Sequence, residues 1–255
     1  MRVESIARVM ERIEAAGIHG EAVVTTDADG TLWSGDVGVD VFEALLGSKG
    51  VREEARDALV REAHWASISS EGDIHEVAGR LWESTIAGGY PEDRCYEMMA
   101  WAFAGWSVDE ALEFARGVRE RRGLRDRLHA EMSTMVRWIR ERGVELWVVS
   151  ASPVFMVQAG VELLGIEADK VIAASPEVRE GRLAPCMAAP IPYGHGKVRG
   201  IERAVGDREV VAAFGDEVFD LEMLTRARVP VAVRPKPRLR IRAAELPSLV
   251  ELGKD

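Results

Sequence analysis

The amino-acid sequence predicts an α/β fold in which a parallel sheet carries an inserted block of helices. The first observation is that short apolar runs alternate with helical patterns over residues 21–33 and 144–234. Such alternation is typical of strand–helix–strand units, whose strands run parallel. The second observation is that residues 36–125 are rich in alanine, glutamate, arginine and tryptophan and show little strand pattern. A helical insertion after the first strand is expected to lie over the strand ends, as a lid.

The individual elements follow from these patterns in chain order. Predicted strands are the apolar runs at 21–26, 144–149, 170–174, 209–214 and 229–233. Predicted helices are the periodic segments at 1–17, 155–164, 196–205, 218–226 and 236–246. Breaks inside the helical block are expected where glycine, serine and proline gather, at 69–73, 88–91 and 105–107. A hairpin within 177–183 is expected to turn near Glu180-Gly181.

Composition narrows the class of protein. The 255 residues are 47% apolar and 30% charged, which is ordinary for a soluble globular protein. The net charge of −10 argues against a broad nucleic-acid-binding surface, although a small pocket can still be positive. Two cysteines, Cys95 and Cys186, suit buried thiols in a reducing compartment. No signal peptide and no run of about 18 apolar residues is present, so we expect a cytoplasmic protein without a membrane span.

The most informative stretch is Asp27-Ala28-Asp29-Gly30-Thr31-Leu32, which directly follows the first predicted strand. Residues i and i+2 of an extended chain point the same way, so Asp27 and Asp29 can share one small space. Two carboxylates that close repel each other unless a cation lies between them or one of them holds a proton. The alternative is a solvated turn, because Asp-Gly favours turns.

Ser150 and Lys197 are two further candidates. Ser150 ends the second predicted strand, and its hydroxyl faces the same side as Asp27 if the two strands are adjacent. Lys197 follows Tyr193-Gly194-His195-Gly196 and lies in the first turn of a predicted helix. A cation there opposes the helix dipole, and a bound anion would offset that cost. Taken singly, Ser150 could cap a helix and Lys197 could be a surface lysine.

Asp216 and Asp220 form the fourth feature. They follow the strand predicted at 209–214, so an apolar strand again runs into carboxylates. Asp220 lies one helical turn after Asp216. Their spacing suits a hard cation bound by oxygen ligands, whereas helix capping by Asp216 is the alternative.

Together these features resemble the haloacid dehalogenase superfamily, and specifically its phosphatases with a helical cap. The resemblance covers nearly the whole chain, and the motifs occur in the order of the family. It rests on Asp27-x-Asp29-Gly-Thr-Leu, Ser150, Lys197 and Gly215-Asp216-x-x-x-Asp220. The resemblance implies a Rossmann-like core formed by residues 1–34 and 126–255, with a helical cap of the C1 type at 35–125.

The resemblance also implies a role for each motif residue. Asp27 would be the nucleophile that forms an aspartyl-phosphate. Asp29 would be the general acid for the leaving alcohol and then the base for the hydrolytic water. Dehalogenases of the superfamily lack this second aspartate, so Asp29 favours phosphoryl transfer. Ser150 and Lys197 would bind the phosphoryl oxygens and the charge spread over them.

Mg²⁺ is the cofactor that the resemblance implies. The implied metal set is Asp27, the backbone carbonyl of Asp29, and Asp216, with Asp220 as an orienting partner of the ligands. The cation would neutralise the charge that otherwise repels a phosphate from a carboxylate.

Within the superfamily, the nearest likeness is to the phosphoserine phosphatase-like branch. That branch has an acidic residue shortly after the first motif, which binds the amine of the substrate. Asp36 stands at the matching offset, although the family usually has glutamate there. Arg80 lies near the place of the cap arginine that binds the substrate carboxylate. The alternative for Asp36 is a turn residue in Ser34-Gly35-Asp36.

The predicted activity is hydrolysis of a small soluble phosphate ester, with phosphoserine or another amine-bearing phosphate as candidate substrate. A phosphotransferase of the same fold, a phosphocholine-type phosphatase and a non-catalytic binding protein are the alternatives. The tryptophans of the helical block are expected to pack its core, with an aromatic cage for a quaternary ammonium group as the alternative. They are Trp65, Trp82, Trp101 and Trp106. No feature of the sequence indicates the oligomeric state.

Overall fold

A seven-stranded parallel sheet lies at the centre of the protein, as the sequence predicts. The computed structural model describes residues 1–18 and 20–253. Its strands are β1 (Arg2–Glu4), β2 (Val23–Thr26), β3 (Glu145–Pro153), β4 (Val171–Ala174), β5 (Pro176–Arg179), β6 (Arg182–Met187), β7 (Val210–Gly215), β8 (Val229–Val233) and β9 (Val250–Leu252). The order across the sheet is β1-β9-β8-β7-β2-β3-β4, and β5 and β6 pair separately as the predicted antiparallel hairpin.

Helices cover the sheet and form the predicted block after β2. They are α1 (Ile6–Ala15), α2 (Val37–Gly47), α3 (Arg56–Trp65), α4 (Ile74–Ile86), α5 (Glu92–Trp101), α6 (Val108–Arg121), α7 (Ala130–Glu141), α8 (Val154–Val161), α9 (His195–Val205), α10 (Leu221–Thr225) and α11 (Pro237–Arg242). No helix among the described residues is long and apolar enough to cross a membrane.

Alternate residues of the strands belong to two separate apolar clusters. Val24 packs in the larger cluster, with α1, α7 and the helical block, whereas Val23 packs in the smaller cluster, with α9, α10 and α11. Because successive side chains of a strand point to opposite faces, this division means that both faces of the sheet are covered. The sheet therefore lies between two layers of helices, with an apolar cluster on each of its faces.

The central strand β2 determines where the candidate residues meet. It pairs in parallel with β7 on one side and with β3 on the other, and all four of its residues are buried. Thr26, its last residue, lies opposite Phe214 of β7 and Val148 of β3. The carboxyl ends of these three strands therefore lie side by side, at the edge where sites of parallel sheets occur.

The helical block, α2 to α6, is tied to the sheet through its two connecting segments. The backbone amide of Ser34 donates to the carbonyl of Arg127 at 3.0 Å, and Trp33 forms a bridge with Leu128. The Arg127 guanidinium pairs with Asp40 of α2 at 2.5 Å. Because the entering and leaving segments bind each other, the block is held at a fixed place beside the end of β3, where α5 also packs.

Several elements of the structure differ from the sequence predictions. Residues 2–4 and 250–252 are strands that pair with each other at the edge of the sheet, and runs of three residues are too short to show a period. β3 continues to Pro153, beyond the predicted end at 149. The predicted helix at 218–226 is a 3₁₀ turn at Val218–Asp220 followed by the short helix α10.

Substitutions in α4 test the packing of the helical block. Leu81 is fully buried, whereas Ile86 of the same helix is 69% exposed. We expect Leu81→Ala to lower the free energy of unfolding by about 2–5 kcal/mol, because the substitution opens a cavity in the core. Ile86→Ala should change it by less than about 0.5 kcal/mol. Urea unfolding followed by circular dichroism measures both values, and equal losses for the two variants would contradict the burial of Leu81.

Candidate active site

The sheet order brings the predicted site residues together at the carboxyl ends of β7, β2 and β3. Asp27 follows β2, Asp216 follows β7, and Ser150 lies near the end of β3. All three are buried, at 6%, 2% and 1% exposure respectively. Polar groups buried this deeply need partners, because each would otherwise lose its hydration without compensation.

A buried lysine joins two of the carboxylates. Lys197 Nζ donates to Asp27 Oδ1 at 2.6 Å and to Asp220 Oδ1 at 2.5 Å. A third bond, of 3.1 Å, goes to the backbone carbonyl of Val149 in β3. The ammonium therefore uses all three of its donors inside the protein. Burial alone would lower the pKa of Lys197, but the carboxylates of Asp220 and Asp27 raise it, so the side chain stays charged.

Glycines allow the segment before α9 to place this lysine. Gly194 has φ +51°, and a Cβ at Gly196 would lie 2.0 Å from the backbone oxygen of Ile191. Lys197 lies in the first turn of α9, as predicted, and its charge is offset by two carboxylates in place of a bound anion. His195 is the first residue of α9 and is exposed.

Asp220 also fixes the backbone turn after β7. Its Oδ2 accepts hydrogen bonds from the amides of Asp216 and Glu217, both at 3.0 Å. Since its Oδ1 accepts from Lys197, both oxygens are used inside the protein. This arrangement agrees with an orienting role for Asp220. The Asp216 carboxylate instead pairs with Lys236 Nζ at 2.9 Å, so Asp216 does not cap the turn.

The carboxylate of Asp29 lines the same cavity as Asp27 and is bound by donors on both oxygens. Oδ1 accepts from Trp33 Nε1 and from the amide of Val37, both at 2.8 Å. Oδ2 accepts from Ser152 Oγ at 2.7 Å and from Ser150 Oγ at 3.5 Å. The two donors to Oδ1 are N–H groups, which cannot accept a proton, whereas the donors to Oδ2 are hydroxyls. Oδ2 is therefore the oxygen of Asp29 that can exchange a proton.

Three carboxylates can together hold a metal ion. Asp27, Asp216 and Asp220 each offer an oxygen atom, and these atoms lie within 4.8 Å of one another. Oxygen donors of this kind suit a hard cation such as Mg²⁺. Gly30, at φ +84°, leaves the necessary room, because a Cβ there would lie 2.1 Å from Asp216 Oδ2. The residues present therefore fit a divalent cation.

The raised pKa values of the carboxyl groups also indicate that a cation would be stabilised at this site. Burial raises the pKa of Asp27 to about 7, the carboxyls of Asp220 and Asp29 add to the rise, and Lys197 opposes it. Burial, Asp27 and Asp220 raise the pKa of Asp216 to about 8. Burial and the nearby Asp36 raise the pKa of Asp29 to about 6. A cation among these groups would favour their charged forms and so relieve their mutual repulsion.

A small cavity of about 120 Å³ opens above these residues, between the sheet and α5. Besides the strand-end residues, Asp36, Tyr96, Tyr193 and Phe219 line it. Asp36 is the N-cap of α2, where Oδ1 accepts from the amide of Val39 at 2.9 Å. Asp36 therefore begins α2 as its N-cap and also lines the cavity.

Arg80 is not brought to this cavity. Its Nε donates to the carbonyl of Ser69 at 3.0 Å and its Nη2 to the carbonyl of Glu71, so it holds the segment before α4. The tryptophans of the helical block also lie outside the cavity lining. Trp101 is buried as expected, whereas Trp65 is 56% exposed. They therefore do not form a cage at this cavity.

Several residues of the site were not predicted from the sequence. Ser152 and Lys236 bind Asp29 and Asp216, and Tyr96 and Tyr193 line the cavity. Ser152 could have been found, because it lies two residues after Ser150 on an extended strand and therefore points the same way. Lys236 could have been suspected because it follows the end of β8. The two tyrosines carry no comparable signal.

Comparisons with known proteins agree with this geometry. A family model described as haloacid dehalogenase-like hydrolase matches residues 24–225, which include every motif residue from Asp27 to Asp220. Comparison with the curated proteins finds no match.

Solved structures share the fold at low sequence identity. A protein of unknown function from Bordetella pertussis Tohama I has a TM-score of 0.69 and 21% identity, over 91% of this chain and 98% of that chain. A substrate-bound phosphoserine phosphatase complex has a TM-score of 0.54 and 15% identity, over 92% and 94%. A phosphoserine phosphohydrolase-like protein from Francisella tularensis subsp. tularensis SCHU S4 has 0.54 and 14%, over 90% and 94%.

A substitution at Gly30 tests the cation site without removing a ligand. Gly30→Ala should weaken Mg²⁺ binding about 10–100-fold, because the new Cβ displaces the Asp216 carboxylate. Isothermal titration calorimetry with Mg²⁺ measures the change. Gly143→Ala is the matched control, since Gly143 also has a positive φ, of +66°, but has open space around it. An unchanged Mg²⁺ affinity in Gly30→Ala would contradict Asp216 as a ligand.

Proposed function

We propose that this chain, which belongs to the haloacid dehalogenase-like hydrolase family, is a Mg²⁺-dependent phosphomonoesterase acting through an aspartyl-phosphate on Asp27. Its substrate is a small phosphate ester, with phosphoserine and other amine-bearing phosphates as the candidates. The observation that supports this most is the buried Lys197, which holds Asp27 by one oxygen beside the second carboxyl, Asp29. On this proposal, residues 35–125 are the cap and residues 1–34 and 126–255 are the core.

Asp27 is suited to nucleophilic attack because Lys197 anchors one of its oxygens, whereas no hydrogen bond within residues 1–18 and 20–253 holds the other. Lys197 binds Oδ1 at 2.6 Å, which fixes the direction of the carboxylate. In the first step, an oxygen of Asp27 forms a bond to phosphorus, and the bond from phosphorus to the leaving alcohol oxygen breaks. The positive charge of Lys197, together with the Ser150 hydroxyl, stabilises the charge on the transferring phosphoryl group.

Asp29 serves proton transfer in both steps. Its Oδ2 gives a proton to the leaving oxygen in the first step and takes one from water in the second. That water attacks phosphorus, the bond between phosphorus and Asp27 breaks, and inorganic phosphate leaves. Ser152 holds Oδ2 at 2.7 Å, and the amide of Val37 with the Trp33 indole holds Oδ1. These bonds orient the acid before the substrate arrives.

Asp27, Asp216 and the backbone carbonyl of Asp29 would hold the Mg²⁺, with Asp220 orienting the turn that presents Asp216. A bound Mg²⁺ supplies positive charge that offsets the repulsion between a phosphate dianion and these carboxylates. The ion pair between Lys236 and Asp216, at 2.9 Å, also holds the Asp216 carboxylate in place.

Replacing the nucleophile tests the proposal directly. Asp27→Asn should lower kcat for 4-nitrophenyl phosphate in the presence of Mg²⁺ by more than about 10³-fold, because an amide is a poor nucleophile. Far-ultraviolet circular dichroism should show an intact fold. Asp207→Asn, at an exposed aspartate outside the cavity, is the matched control and should retain wild-type turnover. Turnover of Asp27→Asn within tenfold of wild type would refute the assignment.

The acid role of Asp29 predicts a dependence on the leaving group. Asp29→Asn should slow alkyl phosphates about 10²–10⁴-fold, because an alkoxide needs a proton to leave. Aryl phosphates should lose less, because a phenolate leaves without one. Comparing kcat/KM for a series of alkyl and aryl esters measures the difference. Equal losses for both classes would argue against general acid catalysis by this residue.

A further inference from the structure

The cavity has little positive charge for the substrate that the proposed function gives it. Among the described residues that line it, seven have carboxyl groups and three have cationic side chains. A phosphate dianion in such a lining is repelled unless cations face it, because charges interact strongly where water is scarce. A bound Mg²⁺ supplies part of the positive charge. The three cationic residues, Lys197, Lys236 and Arg238, differ in how many of their donors are still available.

Two of the three cationic side chains are engaged within the protein. Lys197 uses all three donors on two carboxylates and a backbone carbonyl, so it can turn a donor to phosphate only by giving up one of these bonds. The Arg238 guanidinium lies 4.7 Å from the centroid of the Phe219 ring, and its Nε lies 3.3 Å from Glu217 Oε1. These contacts hold the Arg238 side chain against the protein.

Lys236 is the cationic residue with unused donors. Its Nζ lies 2.9 Å from Asp216 Oδ2. Within residues 1–18 and 20–253, Asp216 is the one hydrogen-bond partner of this ammonium, which has three donors. The side chain of Lys236 is 51% exposed, whereas that of Lys197 is 4% exposed. Two N–H groups of Lys236 are therefore available to a ligand in the cavity that it lines.

The backbone around Lys236 is fixed, although the end of the side chain is not. Its amide donates to the carbonyl of Asp216 at 2.8 Å. It is the N-cap of α11, and Pro237 at the start of the helix restricts the backbone on that side. Two residues earlier, Arg234 pairs with Glu131 of α7 at 2.7 Å. The ammonium can therefore exchange partners by side-chain rotation alone, without a shift of the strand ends.

Lys236 also lies close to the place where the phosphoryl group would be transferred. Asp216, its partner, offers an oxygen that lies within 4.8 Å of an oxygen of Asp27. Lys236 and Asp27 line the same cavity. A lysine ammonium on a flexible stem can turn from a carboxylate to a phosphate oxygen, which it binds as a point charge.

We propose that Lys236 is a phosphate-binding residue, whose ammonium pairs with Asp216 before substrate binds and then donates to an oxygen of the phosphoryl group. Its charge adds to those of Lys197 and Mg²⁺ and offsets the carboxyl groups of the lining. Lys236 belongs to none of the motifs on which the proposed chemistry is based. This inference rests on the proposed phosphatase function and adds a residue to its phosphate site.

Two titrations of the folded protein separate phosphate binding by Lys236 from a merely structural role. Lys236→Met should weaken the binding of inorganic phosphate, at saturating Mg²⁺, by about 10–100-fold. The same variant should bind Mg²⁺ alone as tightly as the wild type, or up to about tenfold more tightly, because a positive charge beside Asp216 repels the cation. Isothermal titration calorimetry measures both affinities. The backbone of Asp216 keeps its bonds from the amide of residue 236 and to Asp220 in this variant.

A second variant and a matched control accompany these titrations. Lys236→Gln also removes the charge and should give the same two results, with far-ultraviolet circular dichroism showing an intact fold. Lys170→Met is the control, because Lys170 also pairs with a carboxylate, Glu145 at 3.2 Å, but lies outside the cavity lining. Its loss should change neither affinity.

Two results would overturn this inference alone. An unchanged phosphate affinity in both Lys236 variants would show that the ammonium does not bind the phosphoryl group. A parallel loss of Mg²⁺ and phosphate affinity would show that it only holds Asp216. In either case, turnover of 4-nitrophenyl phosphate by the wild-type protein would leave the phosphatase function intact. If the wild-type protein neither binds inorganic phosphate nor hydrolyses this ester, the proposed function fails and this inference with it.

Discussion

The bond network of Lys197 is the interaction on which the rest of the site depends. A buried ammonium between two buried carboxylates is stable only when every charge has a partner, because desolvation is costly for each ion. Lys197 meets this condition with Asp27, Asp220 and a β3 carbonyl. Removing the ammonium would leave both carboxylates unpaired at a cost of about 3–5 kcal/mol. The same three bonds tie α9, β2, β3 and the turn after β7 to one point.

The topology of the sheet makes this network possible. β2 lies between β7 and β3 in the sheet. Residues that are far apart in the sequence therefore lie close together at the carboxyl ends of these strands. Two glycines then allow side chains to approach the backbone closely. Gly30 leaves room for the Asp216 carboxylate, and Gly215 leaves room for Asp220, because a Cβ added at Gly215 would lie 2.5 Å from the Cβ of Asp220. The residues of the proposed chemistry therefore lie at the strand ends and at the start of α9, whereas the helical block lines the cavity with Glu92 and Tyr96 of α5.

Much of this arrangement could be predicted from the sequence, and the remainder shows which kind of information the sequence lacks. Asp27 and Lys197 stand directly at the end of a strand and the start of a helix, so local patterns located them. Contacts between the helical block and the sheet depend on packing, which no period along the chain encodes. This is why Tyr193 was not predicted to line the cavity and why Arg80, which binds the carbonyl of Ser69, was predicted to lie at a site that it does not reach. The strands at 2–4 and 250–252 were missed because three residues show no period.

The role of Asp27 as nucleophile is tested most directly by finding the residue that carries the phosphoryl group during turnover. The protein is mixed with a phosphate ester and Mg²⁺, quenched in acid, reduced with borohydride and digested for mass spectrometry. Reduction converts an aspartyl-phosphate to homoserine. Nucleophilic attack by Asp27 predicts homoserine at position 27 alone, and only when substrate is present. A phosphoryl group on Ser150, or turnover with no modified residue in the protein, would contradict it.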